Sequence, residues 1–179
     1  MFCLDNSLRS KVVYFVYPQY LWAREINRLL KSGTIPDFRE RQIIDAPCGS
    51  GVVTFWLKRW NSGLRTQLYD LDRNNVDLAR RWFPACNARV ADIYKLEVER
   101  SDNVWLLINS LYCLPEAGAL LGRMARHMEY IVGVFPYLDT KNYRKFLCTP
   151  GAHNPSAMTK EQTLVHFAAS GAQGKLSYR

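Results

Sequence analysis

Three acids and two glycines carry the chemistry open to this sequence. Asp45 closes the run Gln42-Ile43-Ile44-Asp45 and is followed by Ala46-Pro47-Cys48-Gly49-Ser50-Gly51. Asp70 closes Gln67-Leu68-Tyr69-Asp70, nineteen residues after Gly51, and Asp92 closes Asn87-Ala88-Arg89-Val90-Ala91-Asp92. A glycine-bearing turn lets backbone come close to a ligand, because Gly49 and Gly51 have no Cβ in the way. A helix starting behind such a turn offers free N–H groups and a partial positive charge. An acid at the end of the next strand can accept hydrogen bonds from ribose hydroxyls. Together these groups suit a nucleotide-like ligand. A third glycine would complete the dinucleotide fingerprint, but Thr54 stands at its position, which weakens a pyrophosphate-binding reading and demotes a nicotinamide-dependent oxidoreductase.

The elements that position these residues alternate strand and helix. Val52, Val53, Phe55, Trp56 and Leu57 read as a helix behind the turn, ending near Trp60, with Asn61-Ser62-Gly63 as the next turn. A second helix is expected from about Asn74 to Phe83, stopped by Pro84. A fourth strand spans Val104 to Ile108, and Glu129 to Phe135 is a fifth. Between them Pro115 suits a helix start, with Leu120, Leu121, Met124 and Met128 on the buried side. Ahead of the first strand, Pro18 opens a helix with Trp22, Ile26, Leu29 and Leu30 on one face, and Gly33 ends it. Tyr14, Tyr17 and Tyr20 either line a substrate mouth or pack this helix on the sheet. The pattern predicts one α/β domain over residues 1–179, with a parallel, doubly wound sheet and a leading helical arm over 1–33.

On these residues the sequence resembles the class I S-adenosylmethionine-dependent methyltransferases, through Asp-x-x-x-Gly-x-Gly at 45–51 and the acids at the next two strand ends. The resemblance implies a Rossmann-like, three-layer, mostly parallel fold and S-adenosylmethionine as cofactor. It implies that Asp45, Gly49, Ser50 and Gly51 hold the methionine end, Asp70 with Leu71 the ribose, and Asp92 with Ile93 the adenine. Asp70 stands nine residues before Ala79, the family's usual spacing, and Asp72 fits less well. Asn109 and Ser110 would lie beside the sulfonium. The family adds a last antiparallel strand after the sixth, which is read at Lys175-Leu176-Ser177-Tyr178. No residues remain here to make that strand, so part of residues 142–148 substitutes, another chain supplies it, or the sequence is a truncated form, and the open edge favours a homodimer.

The stretch 136–157 follows the carboxyl end of strand five, where ligands bind in open α/β sheets, and reads as a substrate loop. Candidate groups for orienting or deprotonating an acceptor are Tyr112, after strand four, and His153, in this loop. His127 and His166 read as structural. Asn109-Ser110-Leu111-Tyr112 lacks the paired prolines that clamp a flipped base in amine-directed nucleic-acid methyltransferases. No cluster of acids suggests a metal.

The chain has 179 residues, a net charge of +8 and 48% apolar residues, as expected of one globular domain with a single core. No apolar run is long enough to span a bilayer. The five cysteines are widely spaced, without a Cys-x-x-Cys pair, which argues against disulfide or zinc frameworks. The charge suits an acidic small molecule, a membrane surface or nucleic acid, but the basic residues form no dense tract. The leading expectation is a cytoplasmic methyltransferase acting on a small-molecule acceptor. The rivals are an RNA or protein methyltransferase and a non-catalytic methyltransferase-like module.

Overall fold

A computed structural model describes residues 17–33, 37–39, 41–97, 101–108, 110 and 114–134. The expected substrate loop, the sixth strand, Asn109, Tyr112 and His153 lie outside the described residues. The chain divides into two compact units, residues 1–93 and 94–179.

The first unit opens with α1 (Tyr17–Lys31). Its apolar face centres on Ala23 and Ile26, which are buried. Gly33 ends it at φ +69°, the left-handed conformation a C-terminal glycine supplies without strain. Then come β1 (Gln42–Asp45), α2 (Val52–Trp60), β2 (Arg65–Asp70), α3 (Arg73–Trp82) and β3 (Asn87–Val90). β2 runs parallel to β1 on one side and to β3 on the other. All of Ile43, Ile44 and Asp45 are buried, so β1 is covered on both faces, as parallel strands require. β2 alternates instead, burying Thr66, Leu68 and Asp70.

Two packing clusters fix the helices. Cys48, Leu68, Val76, Ala79, Cys86 and Ala88 form a small-residue core joining the glycine turn, β2, α3 and β3, with Phe83 against it. On α2, Trp56 and Trp60 take the edge of Tyr20 at centroid distances of 5.1 and 5.7 Å, and Phe55 stacks on Phe83 at 4.2 Å. Asn61 Nδ2 donates to Asn27 Oδ1 at 3.0 Å, a second tie between α1 and α2. Tyr20, read as lining a substrate mouth or packing on the sheet, packs α1 against α2.

The second unit holds β4 (Ser101–Ile108), α4 (Ala117–His127) and β5 (Met128–Val134), with β4 and β5 parallel. Val104, Trp105, Leu106 and Leu107 are consecutive and all buried, again a strand covered on both faces. Leu120, Leu121 and Met124 form the buried side of α4. Met128, expected on that helix, is instead the first residue of β5, because the helix passes into the strand without an intervening turn. β4 begins at Ser101, three residues before its apolar run, with an irregularity in the pairing between Ser101 and Val104.

Candidate cofactor site

The turn 45–51 is held from β2. Cys48 N–H donates to Tyr69 O at 2.8 Å and Gly49 N–H to Asp70 Oδ2 at 2.7 Å. Asp70 Oδ1 accepts from Asp72 N–H at 2.9 Å and from Asn75 Nδ2 at 3.3 Å. Asp70 is therefore a buried carboxylate that ties the glycine turn to the start of α3. Its Oδ2, with one donor, keeps acceptor capacity for a further hydroxyl. Asp72 does a different job: it is the N-cap of α3 and accepts from Asn74 N–H at 2.8 Å. Leu71, between them, is 70% exposed, an apolar side chain free to lie against a ligand.

The two glycines divide the work of the turn. Gly49 has φ +53°, and a Cβ built there meets nothing within 4 Å. Gly51 has φ +75°, and a Cβ there would sit 2.7 Å from Leu68 Cδ2 and 3.3 Å from Ala79 Cβ. Gly49 thus faces open space, the cradle a ligand needs. Gly51 lets the turn seat on the β2–α3 core, and what it can offer a ligand is backbone. Gly51 is also the N-cap of α2 and has no side chain to satisfy the first-turn N–H groups, which leaves the helix start available to a carboxylate.

The backbone N–H groups of Gly49 and Asp72 go to Asp70, not to Asp45. Asp45 Oδ2 accepts from Thr54 Oγ1 at 2.6 Å, and its Oδ1 is buried without a hydrogen-bond partner. Burial pushes its pKa up to about 7; the Thr54 hydroxyl works against that rise and the nearby Asp70 charge adds to it. An orphaned buried carboxylate oxygen is costly and suits a cationic donor brought by a ligand. Thr54, which stands where the dinucleotide fingerprint has its third glycine, is fully buried. Its position in the first turn of a helix whose neighbours Val52, Val53 and Leu57 are buried was the signal that its hydroxyl would need an internal partner.

Asp92 is half-buried and Ile93 buried, both just beyond the end of β3. The β3–Asp92 connection is tied back by Ala91 N–H to Asp70 O at 2.9 Å, so the third acid follows directly from the second. Cys48 packs in the small-residue core, and burial drives its thiol well above the usual range, which removes it as a nucleophile at neutral pH. In the second unit, Ser110 is buried with its hydroxyl unpartnered. The structure brings Asp45, Gly49, Ser50, Gly51, Asp70 and Leu71 to the carboxyl ends of β1 and β2, with Asp92 and Ile93 beyond β3. Among the described residues, no group of three or more His, Cys, Asp or Glu is placed to hold a metal ion.

No family model matches the chain, and no curated protein matches it in sequence. Solved structures do. Magnesium protoporphyrin IX methyltransferase (ChlM) from Synechocystis PCC 6803, with bound SAH, superposes at TM-score 0.70 over 99% of this chain and 82% of its own, at 14% identity. The chain has the fold of the class I S-adenosylmethionine-dependent methyltransferases. Geranyl diphosphate methyltransferase in complex with SAM matches this fold at TM-score 0.68 and 12% identity, over 94% of this chain and 71% of its own. The mitomycin 7-O-methyltransferase MmcR matches at TM-score 0.62 and 16% identity, over 77% of this chain. This chain spans 45% of the length of MmcR. The doubly wound, mostly parallel methyltransferase fold expected from the strand-turn-helix pattern is thus the observed one. Among the described residues no helix is long and apolar enough to cross a membrane.

Proposed function

We propose that this chain is an S-adenosylmethionine-dependent methyltransferase acting on a small-molecule acceptor. The observation that carries the reading is the turn. Gly49 opens onto space, and at the end of the same strand a buried carboxylate oxygen of Asp45 has no partner. That pairing fits the α-amino group and backbone of a methionine-like ligand. When bound, the cofactor supplies a methyl group already activated on a sulfonium. The residues have to hold and orient it. Asp45 receives the ammonium, and Gly49, Ser50 and Gly51, with the start of α2, receive the carboxylate end. Asp70 keeps one acceptor position for a ribose hydroxyl, Leu71 lies against the nucleoside, and Asp92 and Ile93 flank the adenine. The resemblance assigns Asn109 and Ser110 to the reacting carbon, and the Ser110 hydroxyl is buried without a partner.

In-line methyl transfer asks chiefly for alignment and exclusion of water, which can lower a barrier by about 7–11 kcal/mol in favourable cases. A base is required where the acceptor keeps its proton at neutral pH, and Tyr112 and His153 are the residues we assign to orienting or deprotonating it. A small acceptor is supported by the names of the structural neighbours, which act on mitomycin, magnesium protoporphyrin IX and geranyl diphosphate. The net charge of +8 favours one carrying acidic groups. We read residues 1–179 as a single methyltransferase-like domain.

The test is isothermal titration of the purified chain with S-adenosylmethionine and, separately, with S-adenosylhomocysteine. Micromolar binding of either is expected. No binding to a chain shown by circular dichroism to be folded would overturn the cofactor assignment.

A further inference from the structure

Asp45 is 1% exposed, with one oxygen bonded to Thr54 and the other bonded to nothing. Among the described residues, the groups that bear on its charge offer no cation bonded to it. Asp70 closes the neighbouring strand, Cys48 stands in the turn, and Cys86 precedes β3; each is acidic or neutral. On α2, Lys58 lies one turn beyond Thr54, but its ammonium donates to Leu64 O at 3.2 Å. Among the described residues no basic side chain bonds to either oxygen of Asp45. The Thr54 hydroxyl at 2.6 Å is thus the donor that favours the ionised form, against burial and the Asp70 charge.

We infer that Thr54 is a positioning residue whose hydroxyl fixes Asp45 for an incoming α-ammonium, so that capture of the cofactor is coupled to release of one proton from the turn. This rests on the cofactor reading above. The balance is simple. In the ligand-free protein the Asp45 carboxyl holds a proton in part of the molecules near neutral pH, because burial raises its pKa to about 7 and, among the described residues, no basic side chain bonds to it. The ammonium replaces that proton as the positive partner of the orphaned Oδ1, and the proton leaves to solvent. No bond to carbon is made or broken. Thr54 lowers the pH at which the exchange is complete, because a hydrogen bond donated to the carboxylate stabilises the charged form. The hydroxyl also fixes which oxygen remains for the ligand, since Oδ2 is already taken.

Two measurements test this on the intact chain. The first is a ¹³C NMR titration of the Asp45 carboxyl carbon in the ligand-free protein, in wild type, Thr54→Val and Thr54→Ser. The second is calorimetric titration with S-adenosylhomocysteine between pH 5.5 and 7.5 in two buffers of different ionisation enthalpy, which counts protons released. In wild type, Kd should fall toward tenfold per pH unit below the Asp45 titration point, with up to one proton released per ligand. Thr54→Val should move the carboxyl titration up by about one pH unit and raise Kd at pH 7 about fivefold, while Thr54→Ser restores both. Thr54→Ala serves as the second hydroxyl-free variant should Val disturb folding. A carboxyl titration unmoved by both substitutions would overturn the role of Thr54. Binding with the same Kd across the pH range would overturn the coupling. Absence of binding at every pH would overturn the cofactor reading and the coupling together, while the carboxyl titration still decides whether Thr54 governs Asp45.

Discussion

Replacing each turn glycine with alanine should produce opposite failures. At Gly51 the added Cβ would stand 2.7 Å from Leu68 Cδ2 and 3.3 Å from Ala79 Cβ. The end of a leucine can sometimes rotate aside, but Leu68 is fully buried among Val76, Ala79, Cys86 and Ala88, so little room exists. Overpacking of this kind costs about 1–3 kcal/mol, and placing a Cβ at φ +75° adds about 1–2 kcal/mol. Gly51→Ala should therefore destabilise the fold by roughly 2–5 kcal/mol, a large share of a domain's usual stability. At Gly49, φ is +53° and the new methyl meets nothing, so the cost to stability is about 1 kcal/mol from the backbone alone. That methyl would instead occupy the cradle, and affinity for S-adenosylhomocysteine should fall about tenfold or more, roughly 1.4 kcal/mol. Urea denaturation followed by far-ultraviolet circular dichroism measures the first quantity and calorimetric titration the second. Equal stability losses in the two variants, or a Gly51→Ala protein as stable as wild type, would refute the division of labour between the glycines. A Gly49→Ala protein that binds as tightly as wild type would refute the cradle.

The acids yield further predictions. Asp72→Ala removes the N-cap of α3 and should cost about 1 kcal/mol in stability while leaving affinity for S-adenosylhomocysteine unchanged, since the cap bond to Asn74 is its role. Asp70→Ala removes three hydrogen bonds, to Gly49, Asp72 and Asn75, and should cost about 2–4 kcal/mol as well as weaken binding; an affinity equal to that of wild type would remove Asp70 from the site. Asp45 gives a pH signature. Its folded pKa of about 7 lies above its ordinary 3.8, so the folded state holds the proton more tightly. Its contribution is neutral below about pH 4, grows unfavourable as pH rises from 4 to 7, and levels off near 4 kcal/mol above that. Asp45→Asn should flatten this part of the stability curve, and denaturant midpoints measured from pH 4 to pH 8 would show it; parallel curves for wild type and variant would sink the assignment.

How much of this was open to sequence reading depended on whether a feature was local. The strand-turn-helix at 42–60 was legible because a short β-branched run, a glycine-bearing turn and a clustered apolar segment follow one another directly. Asp70 was ranked over Asp72 by its nine-residue spacing to Ala79, and the structure gives Asp72 the N-cap of α3. Gly33 needed only its own position after the last apolar residue of α1. What was missed depended on contacts across the chain. The seating of Tyr20 on Trp56 and Trp60 joins two helices, and neither stretch alone reveals it. The helix period carried the reading of α4 one residue too far, to Met128, because no glycine or proline marks its passage into β5. Ser101 to Asn103 enter β4 despite their polarity, since pairing with β5 rather than side-chain burial defines the start of that strand. Thr54 was judged by the glycine it replaces, and its actual role appears when the hydroxyl is seen 2.6 Å from Asp45.

The contrast between Asp45 and Asp70 bears on function more than either acid does alone. Both end neighbouring parallel strands and both are buried. Asp70 is satisfied by three donors from the protein, so its presence is explained by architecture whether or not a ligand binds. Asp45 has one donor, a second acid nearby and a buried oxygen without a partner. Stability alone would favour a neutral residue there, because an asparagine could keep the Thr54 bond without burying a charge. A group that costs the fold this much, set at the end of β1 four residues before Gly49, makes physical sense when a cation completes it. The α-ammonium of a methionine-like cofactor is such a cation, and it arrives attached to the carboxylate and nucleoside for which the start of α2 and Asp70 provide the remaining positions.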